Sequence, residues 1–328
     1  MGGGYPWGGM DRNLALEFVR VTEAAALNAA KWVGKGDRTA ADQAACDAMR
    51  HTLGQLDVRG RIVIGEGERD EAPMLYIGEE VGNGSGPVVE IAVDPLEGTN
   101  LCANGMANAI SVLAAAKEGE GRLMHAPDCY MDKLVVGPDA KGAIDITMPV
   151  AANLRAIAKC LDKDIDELTI GMLDRPRHEK LIAEIRRCGA RIRLVTDGDI
   201  TLGIAAIQEE TGIDALFGIG GAPEGVITAA SVRCVGGDMQ ARLVFRNEEE
   251  RKRAEKMIEG DVDRVFHTDD MASGSVMFAA TGITSGDLLR GVRYTKGGAL
   301  TESIVMRSAT GTVRRIQTSH RFEHAPRY

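Results

Sequence analysis

The sequence predicts an α/β fold in which layered β-sheets are covered by helices. Short β-branched segments alternate along the chain with segments whose apolar residues recur at helical spacing. Glycine-marked turns separate the two kinds of segment, and this alternation is typical of sheets packed against helices. The chain has 328 residues, and at roughly 100–200 residues per domain this length suggests two domains or one large α/β unit.

The first predicted domain, residues 11–150, opens with two helices and continues with strands. Apolar residues at helical spacing predict a helix over Leu14–Trp32, and an alanine-rich stretch predicts a second over Thr39–Leu56. The preceding residues 1–10 are expected to form a flexible extension, because they are rich in glycine and lack the basic and apolar parts of a secretory signal. Strands are predicted at Arg61–Ile64, Val88–Val93, Ala109–Lys117 and Lys133–Gly137.

The second predicted domain, residues 151–328, begins near Pro149–Asn153, where the pattern of residues along the chain changes. It repeats the alternation of helices and strands, which again favours a layered unit. Helices are predicted at Glu179–Cys188, Ile200–Thr211, Pro223–Cys234 and Glu248–Glu259. Strands are predicted at Ile192–Thr196, Ala215–Ile219, Gln240–Phe245, Val276–Thr281 and Ile304–Arg307.

The charge and the hydropathy pattern exclude several classes of partner. A formal net charge of −9 and an isoelectric point near 5.3 argue against a general nucleic-acid binder and against a polybasic membrane-surface protein. No apolar run approaches the ~18–20 residues that cross a bilayer. We therefore expect a small-molecule partner, and neither nucleic acid nor membrane.

Cysteine and histidine usage bears on compartment and metal chemistry. Six cysteines are scattered without a CxxC pair, which predicts free thiols in a reducing cytoplasm. Six histidines without an HExxH motif argue against a zinc site. If the chain binds a metal, its ligands are expected to be oxygens.

Acidic residues recur where predicted strands end, which is where ligands collect in open α/β sheets. They are Glu66, Glu68, Asp70 and Glu71 after Ile64, Asp94 and Glu97 after Val93, and Asp197 and Asp199 after Val195. Crowded like charges repel unless a cation compensates them. A hard divalent ion with oxygen ligands is the expected compensation.

Each of these acidic segments also has a purely structural explanation. Gly65–Glu71 can form a solvated turn, and Asp42 lies three residues after Thr39, where it can complete a helix capping box. Asp197–Asp199 can form an Asx turn. A negative charge such as Glu224 is favoured at the start of a helix by the helix dipole. None of these segments is specific for a metal site by itself.

The segment Asp94–Thr99 is a more specific signal for a phosphate and metal site. A buried strand delivers Asp94, Pro95 fixes the turn, and Glu97 returns toward the same ion. Gly98 removes a side chain where a phosphate approaches, and Thr99 presents a hydroxyl beside it. A helix starting here would also point free backbone N–H groups at the phosphate.

This segment resembles a known signature. Asp-Pro-Leu-Glu-Gly-Thr is similar to the motif of the metal-dependent, lithium-sensitive sugar phosphatases, and glutamate at its fourth position is similar to the class II fructose-1,6-bisphosphatases. The resemblance runs in order from about residue 11 to residue 320. Further matching segments are Ile62–Glu80, Pro127–Pro138, Arg175–His178, Thr196–Ile200, Gly218–Gly225 and Ala280–Leu289.

The resemblance implies an overall fold and an activity. The fold is a layered α-β-α-β-α sugar-phosphatase fold, and members usually form homo-oligomers, here expected to be tetramers. The reaction is hydrolysis of the C1 phosphate of fructose 1,6-bisphosphate in gluconeogenesis or the Calvin cycle. Cyanobacterial members similar in these segments also hydrolyse sedoheptulose 1,7-bisphosphate, so single and dual specificity both stay open.

The resemblance also implies roles for individual residues. The family's metal ligands fall on Asp42, Glu66, Asp94, Glu97 and Glu224, which would hold Mg²⁺ or Mn²⁺. Its substrate contacts fall on Glu97, Gly98, Thr99, Tyr130, Arg175, Pro176, Arg177, Asp197, Gly198, Asp199 and Gly221. In catalysis, Thr99 paired with Asp70 is expected to orient and deprotonate the attacking water. One departure is Arg38, which stands where many members have lysine.

Two alternative functions remain at this stage. An inositol-monophosphatase-like enzyme would share the Asp-Pro motif, but it would not combine Glu97 with Arg175–His178 and Gly218–Gly225. A nucleotide-binding oxidoreductase is suggested by the glycines of Gly218–Gly221, which lack the GxGxxG spacing after a first strand.

Overall fold

A computed structural model describes residues 11–67 and 74–322 of the chain. The predicted extension, residues 1–10, lies outside the described residues. The α-helices are α1 (Asp11–Ala29), α2 (Arg38–Leu53), α3 (Thr99–Ala103), α4 (Val150–Cys160), α5 (Glu179–Arg187), α6 (Asp199–Ala205), α7 (Ala222–Val235), α8 (Glu248–Met257) and α9 (Thr268–Met271). The strands are β1 (Arg59–Ile64), β2 (Glu80–Val81), β3 (Val88–Glu97), β4 (Ile110–Leu123), β5 (Tyr130–Val136), β6 (Thr169–Leu173), β7 (Arg191–Val195), β8 (Ala215–Gly221), β9 (Asp238–Val244), β10 (Phe266–His267), β11 (Ala272–Gly282), β12 (Arg293–Thr295), β13 (Gly298–Arg307) and β14 (Thr312–Arg321).

The strands form two mixed sheets. The first sheet has eight strands in the order β12-β13-β11-β4-β3-β1-β2, with β14 paired to β13. Within it, β1 runs parallel to β3 and β4 runs antiparallel to β3. The second sheet has six strands in the order β10-β9-β5-β8-β6-β7. Its central strand β5 is antiparallel to both β8 and β9, whereas β6 is parallel to β7 and β8.

The two faces of each sheet pack into different hydrophobic cores, because successive residues of a strand point to opposite sides. In β1, Ile62 belongs to the core with α1 and α2, while Val63 belongs to a central core that contains α6 and α7. In β5, Val135 joins the same central core, while Leu134 packs with α4 and α5. The layers are therefore α1/α2, first sheet, α6/α7, second sheet and α4/α5. The predicted layered α-β-α-β-α fold is confirmed.

Some elements differ from the prediction for local reasons. Strand β3 does not end at Val93 but continues through Pro95 to Glu97, with a register shift against β4 between Asp94 and Glu97. Such an irregularity accommodates a proline that has no N–H to donate to the ladder. Helix α4 and strand β14 were not predicted at all.

The first sheet takes strands from both sides of residue 150. The change of residue pattern near Pro149–Asn153 coincides with the start of α4, which follows Pro149 directly. The division into residues 11–150 and 151–328 is thus not a division between sheets, and as a division into domains it stays a prediction. Within residues 11–67 and 74–322, no helix has both the length and the apolar character needed to cross a bilayer.

Candidate active site

One cavity brings together all five predicted metal ligands. It has a volume of about 360 Å³ and lies where β1, β3 and β8 end. Its lining includes the five carboxylates Asp42, Glu66, Asp94, Glu97 and Glu224. Gly98, Thr99 and Asp197, which are predicted substrate contacts, line the same cavity. Asp70, the predicted partner of Thr99, lies outside the described residues.

Asp42 and Glu66 approach the cavity from α2 and from the loop after β1. The cap of α2 is Asp37, whose side chain accepts a hydrogen bond from Ala40 N at 2.9 Å. Asp42 is therefore not needed for capping, and burial raises the pKa of its carboxyl group. Burial, and then the charge of Asp42, raises the pKa of Glu66 to about 7.

Asp94 and Glu97 are placed by the irregular end of β3. Oδ1 of Asp94 accepts a hydrogen bond from Leu96 N at 3.1 Å. Glu97 is buried, and its Oε1 accepts a hydrogen bond from Ile200 N of α6 at 3.0 Å. Burial and then the charge of Glu97 raise the pKa of Asp94 well above its ordinary value. Burial and then the charge of Asp199 raise the pKa of Glu97 to about 8.

Glu224 comes from the first turn of α7, directly after β8. Its Oε2 is buried without a hydrogen-bond partner among the described residues. A Cβ atom at Gly221 would lie 1.8 Å from this oxygen, so the carboxylate occupies the space that a side chain at position 221 would need. Burial, followed by the charge of Asp199, raises the pKa of Glu224.

These carboxylates fit a divalent metal site. Burial and mutual repulsion disfavour their charged forms, and one buried oxygen has no protein donor among the described residues. A hard divalent cation supplies the missing positive charge and prefers oxygen ligands. The donor set therefore matches Mg²⁺ or Mn²⁺ chemistry.

Two strand-to-helix turns with the same backbone geometry flank the cavity. Gly98 precedes α3 with φ 85°, and Gly198 precedes α6 with φ 88°, a left-handed conformation that favours glycine. Thr99 follows the first of these turns and is half-buried beside the cavity. It lines the same cavity as the five carboxylates.

The second turn holds Asp197 and Asp199 in different environments. Asp197 accepts a hydrogen bond from Asn100 Nδ2 at 3.2 Å, and its Oδ1 lies 3.7 Å from Arg175 Nη2. Asp199 is buried, with its Oδ2 2.6 Å from Nζ of the fully buried Lys133. One oxygen of Asp199 is thus already paired with the ammonium group of Lys133, while Asp197 lines the metal cavity.

A second cavity of about 530 Å³ adjoins the first, since Glu66 and Glu224 line both. It contains Tyr130 at the start of β5, whose ring centroid lies 4.8 Å from the Arg177 guanidinium and 5.1 Å from that of Arg246. Arg177 also donates to the carbonyl of Ile219 at 3.0 and 2.7 Å. Pro176 and Arg177 are the exposed residues of the 3-10 turn Pro176–His178, in which His178 is buried.

Sequence reasoning missed several residues at the site. Lys133, Cys46, Arg246 and His178 all contact residues that it singled out. Only Lys133 left a readable signal, because it is a single lysine within the apolar run of β5. His178 lies in a matched segment, yet nothing in the sequence indicates that its Nε2 accepts a hydrogen bond from Ile219 N at 2.8 Å.

Gly218–Gly221, the segment behind the oxidoreductase alternative, forms the end of β8, between β5 and β6. A Cβ at Gly218 would lie 3.1 Å from Nε2 of His178. A Cβ at Gly220 would lie 1.8 Å from Oδ2 of Asp199. These glycines therefore make room for neighbouring side chains.

Comparisons with known proteins show which family the chain resembles over nearly its whole length. The chain is 50% identical over 337 residues to the D-fructose 1,6-bisphosphatase class 2/sedoheptulose 1,7-bisphosphatase of Synechococcus sp. (strain JA-2-3B'a(2-13)), covering 95% of this chain and 96% of that protein. It is 49% identical over 324 residues to fructose-1,6-bisphosphatase 1 class 2 of Escherichia coli (strain K12), with the same coverage of 95% and 96%. A solved chain, the extragenic suppressor from Pyrococcus furiosus, reaches a TM-score of only 0.31 at 15% identity over 60% of this chain and 70% of that chain, which is too low to inform the fold.

The family model described as bacterial fructose-1,6-bisphosphatase, glpX-encoded, matches residues 12–320. This range agrees with the extent of the resemblance that the sequence motifs indicate, and the resemblance is confirmed. The chain belongs to the glpX-encoded bacterial fructose-1,6-bisphosphatase family.

Proposed function

We propose that the chain is a divalent-metal-dependent phosphatase that converts fructose 1,6-bisphosphate to fructose 6-phosphate and phosphate. We further propose that it converts sedoheptulose 1,7-bisphosphate to sedoheptulose 7-phosphate. The observation that carries the proposal is the convergence of five carboxylates and Thr99 on one cavity. The names of the Synechococcus and Escherichia coli relatives support the same reaction.

In this proposal, Asp42, Glu66, Asp94, Glu97 and Glu224 hold Mg²⁺ or Mn²⁺. When bound, such ions neutralise charge on the phosphate and on the leaving oxygen. Four of the five ligands belong to residues 11–150, so we propose that this part provides the metal site. Residues 151–328 would provide most contacts to the sugar.

The chain's own residues bind and orient the substrate. The Gly98–Thr99 turn would receive the phosphate that is cleaved, and the Thr99 hydroxyl would orient the attacking water and take part in removing its proton, with Asp70 as partner. Arg175 and Arg177 can fork oxygens of the distal phosphate. The substrate contacts proposed from the family are Glu97, Gly98, Thr99, Tyr130, Arg175, Pro176, Arg177, Asp197, Gly198, Asp199 and Gly221.

Two features support the proposed role of the sugar contacts. Asp197 lines the metal cavity with a carboxylate that can accept sugar hydroxyls. Lys133 pairs with Asp199 and holds one of its carboxylate oxygens from behind. Tyr130 would place its ring or hydroxyl against the sugar.

We propose a cytoplasmic homotetramer that acts in gluconeogenesis or the Calvin cycle. The six cysteines are all free, which agrees with a reducing compartment. Light scattering on the purified chain tests the tetramer directly.

The experiment for the function is phosphate release from fructose 1,6-bisphosphate with Mg²⁺, with Mn²⁺ and with EDTA. A parallel reaction contains sedoheptulose 1,7-bisphosphate, and a third contains an inositol monophosphate. Release from the first substrate that EDTA abolishes supports the proposal, and the second reaction separates single from dual specificity. Release from the inositol phosphate alone would contradict it.

A further inference from the structure

Cys46 lies beside the candidate metal ligands without being one of the residues predicted there. It follows Asp42 by one turn of α2, a spacing that puts both side chains on the same face of the helix. One carboxylate oxygen of Asp42, Sγ of Cys46 and one carboxylate oxygen of Glu66 all lie within 4.8 Å of one another.

This separation suits three ligands of one ion. Zinc holds sulfur at ~2.3 Å and carboxylate oxygen at ~2.0–2.2 Å, so two donors of one ion lie within about 4.5 Å of each other. The three donor atoms, within 4.8 Å of one another, lie close to that range. Cys46 is 5% exposed, so the sulfur faces the protein interior and the two carboxylates rather than solvent.

A second observation, independent of the cysteine, also points to a cation here. Oε2 of Glu224 is buried with no hydrogen-bond partner among residues 11–67 and 74–322. Glu224 lines the same cavity as Asp42 and Glu66. The cavity thus contains an unmatched acceptor at Glu224, and the Cys46 sulfur lies next to two of its other lining carboxylates, Asp42 and Glu66.

We propose that Cys46 is a third ligand of the metal position formed by Asp42 and Glu66, so that this position takes thiophilic divalent ions such as Zn²⁺, Co²⁺ and Cd²⁺ through a metal–sulfur bond. The proposal rests on the proposed metal-dependent function, because it uses two of the same carboxylates. The ion replaces the thiol proton, which passes to the solvent, and no electron is transferred. It also revises the expectation from the sequence that all ligands are oxygens.

The consequence is a metal preference that differs between hard and thiophilic ions. Mg²⁺ binds through oxygens and gains little from a thiol. Thiolate ligands favour softer ions. Removing the sulfur should therefore weaken Zn²⁺ or Cd²⁺ binding by about tenfold or more, the scale on which even outer-shell metal partners act, while Mg²⁺ affinity changes much less.

Cobalt is the probe, because a cobalt–thiolate bond adds a near-ultraviolet charge-transfer band that carboxylate ligands do not produce. The full chain is titrated with Co²⁺, and Cys46→Val and Cys46→Ser are titrated beside it. Cys234→Val is the matched control, since Cys234 is also a buried helical cysteine but bonds Val276 O in another part of the core. Cooperative thermal unfolding verifies that each variant is folded.

The proposal expects the sulfur band in the unmodified chain and in Cys234→Val, and its loss in both Cys46 variants. It also expects the drop in Zn²⁺ or Cd²⁺ affinity only when Cys46 is replaced. A band that persists in the Cys46 variants, cobalt binding without a sulfur band, or no cobalt binding at all overturns it. If Cys46→Val does not fold, Cys46→Ser alone decides.

Phosphate release by the unmodified chain with Mg²⁺ or Mn²⁺, measured in parallel, keeps the two proposals apart. Release without a sulfur–cobalt band leaves the phosphatase standing and removes Cys46 from the metal site. A sulfur–cobalt band without release from any sugar bisphosphate keeps Cys46 as a ligand and removes the proposed function.

Discussion

Two residues of the candidate site act from opposite sides of the carboxylates. Thr99 is half-buried and lines the cavity itself. Lys133 is fully buried behind the cavity and pairs with Asp199 at 2.6 Å. Their substitutions should therefore have different consequences, one for the chemistry and one for the stability of the fold.

Thr99→Ala should lower turnover by ~10²-fold or more, the scale of one acid–base contribution, while KM changes little. The reason is that the hydroxyl would act mainly on the attacking water, while the other proposed substrate contacts stay in place. Steady-state phosphate release measures both parameters. Thr99→Ser keeps the hydroxyl and should retain much of the activity. An unchanged turnover in Thr99→Ala would remove this residue from the mechanism.

Lys133→Met should lower the free energy of unfolding by about 3–5 kcal/mol, because it leaves Asp199 as a buried charge without its partner. Urea denaturation of the metal-free protein measures the change. Arg20→Met is the control, since Arg20 pairs with Glu17 at the surface and the two side chains are 51% and 34% exposed, so it should cost at most about 1 kcal/mol. Equal losses in the two variants would contradict the assigned role of Lys133.

At the scale of elements, the junction from β8 to α7 is where the second sheet reaches the metal cavity. The strand ends at Gly221, the helix begins at Ala222, and Glu224 is in its first turn. Gly221 has an ordinary φ of −69°, so its backbone would accept any residue. Only the nearness of the Glu224 carboxylate requires glycine there.

Gly221→Ala should therefore leave the fold intact and displace Glu224. We expect the Mg²⁺ concentration for half-maximal activity to rise by about tenfold or more. This is the scale on which metal affinity falls when a residue that positions a metal ligand is replaced. Gly137→Ala is a matched control, because φ there is −68° and the nearest atom to an added Cβ is 3.5 Å away. If both variants need the same Mg²⁺ concentration as the unmodified chain, Glu224 is not a ligand.

The elements that the sequence predicts well are those with a strong local pattern. β1, the start of β3 and α7 lie within a few residues of their predicted positions. β14 was missed because most of its residues are exposed and it lies at the edge of the first sheet, so its sequence lacks a buried apolar run. The end of β3 was misplaced because a register shift carries the strand past Pro95.

The candidate site was also predictable only in part, because contacts between distant segments leave no local pattern in the sequence. The five carboxylates came from a resemblance, and the cavity does bring them together. Lys133 stands out in the sequence and Cys46 shares a helix face with Asp42, but their contacts with Asp199 and Glu66 could not be predicted, because those partners come from other elements of the fold. Lys133 meets Asp199 from 66 positions away along the chain.

On the scale of the whole molecule, the carboxylates are concentrated between the two sheets. Asp94 and Glu97 end a strand of the first sheet, whereas Glu224 follows a strand of the second. Folding therefore brings like charges together, which costs free energy unless a cation binds. The stability of the folded chain should depend jointly on pH and on metal.

The direction of that dependence follows from the raised pKa values. A glutamate in the unfolded chain titrates near 4.5, whereas the pKa of Glu66 is raised to about 7 and that of Glu97 to about 8. Between these values the folded state holds protons that the unfolded state has lost, so the free energy of unfolding falls as pH rises. These groups stabilise the metal-free fold below pH 4.5 relative to pH 8.

Saturating Mg²⁺ should accordingly raise the thermal midpoint more at about pH 8 than at about pH 6, because more carboxylates are charged at the higher pH. Thermal unfolding in EDTA and in Mg²⁺ at both pH values measures the difference. A midpoint shift by Mg²⁺ that is as large at pH 6 as at pH 8 would mean that these carboxylates do not bind the ion.

The hydrogen bond between Glu97 and Ile200 makes side-chain length a constraint on the whole arrangement. Oε1 of Glu97 reaches from the end of β3 to the backbone of α6, while the residue also lines the metal cavity. An aspartate at position 97 would be shorter by one methylene group, about 1.5 Å, and could meet only one of these demands. The single carbon that distinguishes glutamate from aspartate thus sets how closely β3 and α6 can approach each other beside the metal cavity.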